Sequence, residues 1–275
     1  MNSRSAGAAM VLGTAALLTL GSGAPVLAAS QADEATVSVL HAVPGLTVDV
    51  YAGDKELLPD FTPGTLTDPL KLPAGSYDIK VFKDGEGPKG TPAIEKSVEV
   101  TAGSNATLVA HLTADGKPTL DAFVNDTSKV PAGKARLTVR HVAAAPAVDV
   151  RAGGTPVFKG LENPKEAKAE VDAGSISADV VLAGTDTVAL GPATLDLAEG
   201  SNTVVYAWGS ATDKNLALKT QTIGGMHSAP SGVPAGETGQ ATSVDRTAQV
   251  GALSVGALIA LGTAGFLLRR RTDVG

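Results

Sequence analysis

Cysteine is absent from the 275-residue chain. That removes disulfides, thiolate metal sites, a cysteine nucleophile and the acylated cysteine of a lipoprotein together. Aromatic residues make up 3% of the chain, with one tryptophan, Trp208, so little ring surface is available for stacking on sugars or bases. Charged residues amount to 18% with a net charge of −6, which leaves no basic stripe, and nucleic acid is not an expected partner. Catalytic signatures are missing too. There is no Gly-x-Ser-x-Gly elbow, no phosphate loop ending in Gly-Lys-Ser or Gly-Lys-Thr, and no paired-histidine zinc helix. No catalytic residue, metal ligand or cofactor is therefore assigned, and an enzyme would have to assemble its groups from distant positions.

What is present begins with the two ends. Arg4, an apolar stretch from Ala8 to Leu20, a break at Gly21 to Pro25, and Val26-Leu27-Ala28-Ala29-Ser30 follow the order of a signal peptide over residues 1–29, with cleavage after Ala28 or Ala29. At the other end, Val250 to Leu268 carries no charge and is followed by Arg269, Arg270 and Arg271. At about 1.5 Å per residue this segment spans roughly the 30 Å hydrocarbon layer. The arginines hold the 269–275 tail in the cytoplasm and leave the preceding chain outside. A single-pass cell-membrane protein with extracellular domains is expected. Ala252, Gly256, Ala260 and Ala264 form a small-residue stripe that would also admit a weak homodimer through the helix.

Residues 224–249, rich in Gly, Ser, Thr, Pro and Ala, read as a disordered stalk. Within it Ala235-Gly236-Glu237-Thr238-Gly239, ahead of the apolar segment and arginines, resembles a degenerate sortase sorting signal. Wall attachment through Thr238 is the alternative to membrane retention.

Between the ends lies a duplication. Val37-Ser38-Val39-Leu40-His41 returns as Leu137-Thr138-Val139-Arg140-His141, Val48-Asp49-Val50 as Val148-Asp149-Val150, and Ala52-Gly53 as Ala152-Gly153. Ala74-Gly75-Ser76 and Gly103-Ser104-Asn105 return in the same order at slightly smaller offsets. Such blocks at a near-constant offset mean a repeat, here residues 34–128 and 134–223 joined at Pro131-Ala132-Gly133. Short runs at 36–42, 47–52, 76–83, 96–100, 105–112 and 118–124, separated by turn residues, predict strands in the first copy. The expected class is all-β: two tandem immunoglobulin-like antiparallel β-sandwich domains, for which a small barrel is the alternative.

The repeated strand, turn and strand, His41 to Gly53 and His141 to Gly153, with Pro44 and Pro146 in the turns, resembles the domain-of-unknown-function 4397 family. Its members are bacterial surface proteins, often in tandem. The resemblance implies a β-sandwich and export, and brings no activity or site residue with it. One aromatic of the motif, Tyr51, becomes Arg151 in the second copy.

Among single residues, His41 and His141 attract notice by recurring. Strand alternation puts His41 inward with Val37 and Val39 and turns Asp49 to the face opposite Val48 and Val50, so a His–Asp dyad is not expected. A hydrogen-bonded core histidine is the plainer reading, with metal ligation or acid–base work as the alternative. His111 and His227 are unrepeated. Trp208 stands in the place of His111, and His227, in the stalk beside Met226, would be at most half of a weak copper site. Asp84-Gly85-Glu86-Gly87 and Asp115-Gly116 read as turns before calcium ligands. The function expected is a non-catalytic envelope protein presenting loops to an unknown extracellular or cell-wall partner, with a structural spacer as the alternative.

Overall fold

The computed structural model describes residues 34–228. The expected signal peptide, Thr238 and Gly239, the apolar segment 250–268 and the tail lie outside the described residues. Among the described residues no helix is long and apolar enough to cross a membrane, and there is no α-helix, only a 3₁₀ turn at Gly87–Lys89.

Each copy has eight strands. The first comprises β1 Glu34–Ala42, β2 Val48–Ala52, β3 Lys55–Phe61, β4 Leu70–Pro73, β5 Gly75–Lys83, β6 Ile94–Val100, β7 Asn105–Leu112 and β8 Pro118–Val124. The second comprises β9 Lys134–Ala144, β10 Val148–Ala152, β11 Thr155–Leu161, β12 Glu166–Asp172, β13 Gly174–Leu182, β14 Val188–Leu197, β15 Asn202–Ser210 and β16 Ala217–Ile223. They form four separate four-stranded sheets, ordered β4-β1-β7-β8 and β3-β2-β5-β6, then β12-β9-β15-β16 and β11-β10-β13-β14. Each copy is thus a two-sheet sandwich and not a barrel. Its core is built from alternate residues of both sheets, such as Val37, Val50, Val81 and Leu108 in the first and Leu137, Val150, Val180 and Val205 in the second.

Two features depart from the sequence reading. The sheets are not purely antiparallel, because β1 pairs parallel with β7 and β9 with β15. Strand pattern alone reports which face is buried and not which neighbour runs beside it. Strands β3 and β4 were not expected. Lys-Glu-Leu-Leu-Pro-Asp-Phe lacks alternation and carries Pro59, which a strand tolerates only at a sheet edge, and β3 pairs with β2 alone.

The copies do not hang apart on a linker. Alternation breaks down in β9, where Ala135 to Ala143 are all buried, and almost completely in β15. Both faces of these strands are covered: one by their own core, the other by the first copy. Leu40, Ala42 and Val109 of the first meet Val142, Val204 and Tyr206 of the second in one apolar cluster.

Candidate functional site

The recurring histidines are sealed. His41 and His141 are each 1% exposed. His41 Nε2–H donates to the Leu46 carbonyl at 2.7 Å, and its Nδ1 accepts from the Val43 N–H at 3.4 Å. His141 repeats this with the Pro146 carbonyl at 2.9 Å and the Ala143 N–H at 3.4 Å. One donor and one acceptor suit the neutral ring. Burial lowers the pKa of both, against the opposing effect of the carbonyl bonds, and the charge of His111 lowers that of His141 further. Each histidine pins the turn that follows its strand. Pro44 sits in that turn, whereas Pro146 supplies the carbonyl, so the two prolines are not register equivalents.

Asp49 and Asp149 face away from these histidines and tie three segments of their own sheet. Asp49 accepts from the Asp60 N–H at 3.0 Å and the Gly85 N–H at 3.2 Å. Asp149 accepts from the Gly160 N–H at 2.7 Å and the Gly184 N–H at 3.0 Å, which together hold its carboxyl below the usual range. Gly53 and Gly153, at φ 59° and 55°, make the tight turn that lets β2 and β10 fold back onto β3 and β11.

The copies differ around this tie. Asp60 stands where the second copy has Gly160, so that Asp49, Asp60 and Asp84 bring their carboxylates within 4.8 Å of one another. Partial desolvation, then the charges of Asp60 and Asp49, raise the pKa of Asp84. Sequence patterning did not bring Asp60 to notice, because the contact is made only when β3 folds back. Tyr51 packs edge-on against Phe82 at 5.5 Å, while Arg151 makes a two-pronged ion pair with Asp179 at 2.6 and 2.9 Å.

The seam between the copies concentrates buried polar groups. Arg140, 1% exposed, donates to Glu166 at 2.9 Å and to the Tyr206 hydroxyl at 2.7 Å, and lies 4.6 Å over the Phe123 ring of the first copy. Tyr206 and Thr107 both donate to Gln221 Oε1, at 2.7 and 3.0 Å. Arg136 pairs with Asp126 at 2.9 Å and donates to the Asp126 and Ser128 carbonyls. Asn163 donates to the carbonyls of Leu112 and Ala143, one in each copy. His111 donates within the first copy to Asp121 at 2.9 Å, while Trp208, in the matching position of the second, lies over Gly64, where a Cβ would stand 3.1 Å from the ring.

Met226 and His227 also belong to this body and not to a free stalk. Met226 is buried, its carbonyl accepts from the Val130 N–H at 2.9 Å, and His227 bridges Val130 over Gly200. Ser228 closes the tie with bonds from both its N–H and its hydroxyl to the Val130 carbonyl.

Beside the seam opens a cleft of about 450 Å³, with Ser38, Thr67, Asp68 and Asn105 on one side and Lys219 and Gln221 on the other. Its size and place between two modules suit a ligand site. Its polar lining suits a hydrogen-bonding partner more than a compact apolar one. The sequence held no local signal for it, because its two walls are more than a hundred residues apart.

Residues 35–151 match the family model described as Domain of unknown function (DUF4397). The match places a domain of that family over this segment. The DUF4397 match covers the whole first copy and ends at Arg151, just past the Val-Asp-Val tie of the second. No curated protein matches the chain. Among solved structures, the Bacillus anthracis TIE protein is similar at 15% identity over 61% of this chain and 32% of its own length, with a TM-score of 0.22. This chain thus spans about a third of that protein. The family 26 carbohydrate-binding module of Eubacterium rectale Amy13K, solved with maltoheptaose, is similar at 14% identity over 72% of this chain and 98% of its own, with a TM-score of 0.20. Neither superposition is close enough to transfer a ligand.

Proposed function

We propose that this DUF4397-domain protein is a non-catalytic envelope protein, exported by residues 1–29 and held at the cell membrane by residues 250–268. Its joined, immunoglobulin-like sandwiches would be presented outside to an extracellular or cell-wall partner. The observation that carries the reading is the seam. Buried arginines, an aromatic and a ring of cross-copy hydrogen bonds fix the two copies against each other, so the walls of the cleft at Asp68 and Lys219 keep their spacing. A preformed polar cleft loses little ordering entropy on binding. With His41 and His141 enclosed, the groups that first suggested acid–base chemistry have no access to a substrate.

A spacer role is the second reading, and a specific observation favours it. The exposed large apolar residues among the described ones sit on opposite edge strands of their sheets, Leu70 on β4 against Val124 on β8 and Val157 on β11 against Val188 on β14, whereas protein-binding faces usually gather theirs into a patch.

One experiment separates the two. Tagged full-length protein is used to capture partners from solubilised envelope, beside the Asp68→Lys and Lys219→Glu variants. A partner retained by the parent and lost by both variants supports the binding reading. Capture of nothing by folded protein supports the spacer. In parallel, deletion of 250–275 is expected to release the protein into the medium, and retention with the membrane fraction would count against the anchor.

A further inference from the structure

The core of the first copy is not filled. A cavity of about 90 Å³ lies between its sheets, walled by side chains such as Val37, Leu58, Tyr77, Leu108 and Leu120. The one hydroxyl among these, on Tyr77, is already donated to the Pro73 carbonyl at 2.8 Å. In the second copy the space among Leu137, Val139, Leu195 and Val205 is about 20 Å³. Register explains part of the difference. Val37 stands where the second copy has Leu137, and Leu58, opposite Val50, stands where Phe158 lies opposite Val150.

The cavity also has a mouth. In the second copy Glu166 to Asp172 pairs without interruption along Arg140 to Lys134. In the first, Leu40 meets Leu66 but Val37 meets Leu70, so one extra residue bulges out around Asp68 and Pro69. Leu57 and Leu70 form the rim, and Leu70 is 39% exposed.

Water gains little in such a space, since an ordered molecule needs two to four polar partners. An empty space forfeits the dispersion contacts of its lining. The volume holds about three groups of methylene size, each comparable with the roughly 30 Å³ share of a liquid water molecule. With its rim formed by Leu57 of β3 and the exposed Leu70 of β4, the cavity would take a thin chain from solvent at this edge, with the polar end left outside. We infer that the first copy binds the methyl end of an unbranched, single-chain amphiphile of the fatty-acid class, and that the second copy does not. The cavity shares no lining residue with the cleft, although the bulge at Asp68 and Pro69 borders both, and the inference stands whether or not the chain is membrane-anchored.

The test uses the full chain in nanodiscs and a medium-chain fatty acid carrying a diazirine at its methyl end. After irradiation, adducts are expected on cavity residues such as Leu58 and Leu108, about tenfold above the matching Phe158 and Val205. Unlabelled decanoate should displace them. Leu58→Phe, which imports the second copy's residue, should abolish labelling and raise the unfolding temperature. Leu70→Glu at the rim leaves the core untouched and should abolish labelling with the unfolding temperature unchanged, which guards against Leu58→Phe failing to fold. Equal labelling of both copies, labelling that survives Leu70→Glu, or labelling obtained only when the diazirine is placed on a phospholipid would overturn the inference.

Discussion

The two copies share strand order, the register of their central strand pairs and both turn ties, yet the equivalent outer faces of their central sheets carry opposite kinds of side chain. On β9 and β15 of the second copy that face presents Arg136, Arg140, Tyr206 and Trp208. The same register on β1 and β7 of the first presents Thr36, Leu40, Val109 and His111. Packed together, the larger groups enter the space left by the smaller ones, and charged heads find partners at the rim in Asp126, Glu166 and Glu170. A duplicated fold can in this way become a single body. One copy keeps the common scaffold and the other converts its outer face to fit it. The interiors diverge too, with the second copy packed by Leu137 and Phe158 and the first left with an apolar cavity.

The largest effect should come from breaking the seam on its larger-residue side. Arg140→Ala removes the ion pair to Glu166 and the bond to Tyr206, and is expected to cost about 3–5 kcal/mol. At about 2–4 °C per kcal/mol for a body of this size, calorimetry should show a clear fall in the unfolding temperature. It should also show the single transition splitting in two. An unchanged transition would mean the copies are energetically independent.

A smaller contrast is expected at the aspartate ties. Asp149→Ala leaves the N–H groups of Gly160 and Gly184 without their carboxylate acceptor and should lower the denaturant midpoint. Asp49→Ala removes the same kind of tie but also relieves Asp60 and Asp84, so denaturant titration should show a lesser loss. Equal losses would remove the acidic cluster as a difference between the copies.

The smallest contrast is one the copies should not show. His41 and His141 both titrate below their unfolded value of about 6.5 because burial disfavours the charged ring. The unfolded chain therefore takes up protons first as pH falls. The stabilisation from the neutral rings is fully present above about 6.5 and is lost progressively below it. The unfolding midpoint should drop between pH 7.5 and 5.5, and His41→Gln and His141→Gln should each remove a similar part of that slope. A slope carried by one histidine alone would show that the two turns are not equivalent.

Much of this was legible in the residues. Alternation placed His41 inward with Val37 and Val39 and separated it from Asp49, and the structure agrees on both points. The repeat and the Val-Asp-Val motif led to the DUF4397 family. Edge strand β3 escaped because Pro59 and the Leu57-Leu58 pair obscure alternation. The place of Met226 and His227 escaped because Gly-rich composition reads as loose chain, although Gly200 leaves room for the His227 ring. The parallel pairings escaped because no local pattern encodes the direction of a neighbouring strand.

By itself the sequence determined the all-β class, the duplication and the identity of the inward faces, because side chains alternate along a strand and turns have their own residue chemistry. Only the tertiary structure decided that the copies are joined, that a polar cleft opens beside the join, and that one core is filled while the other is not. Those outcomes depend on side chains far apart in the chain meeting at fixed distances, where a difference of one methylene or one bulged residue sets the result.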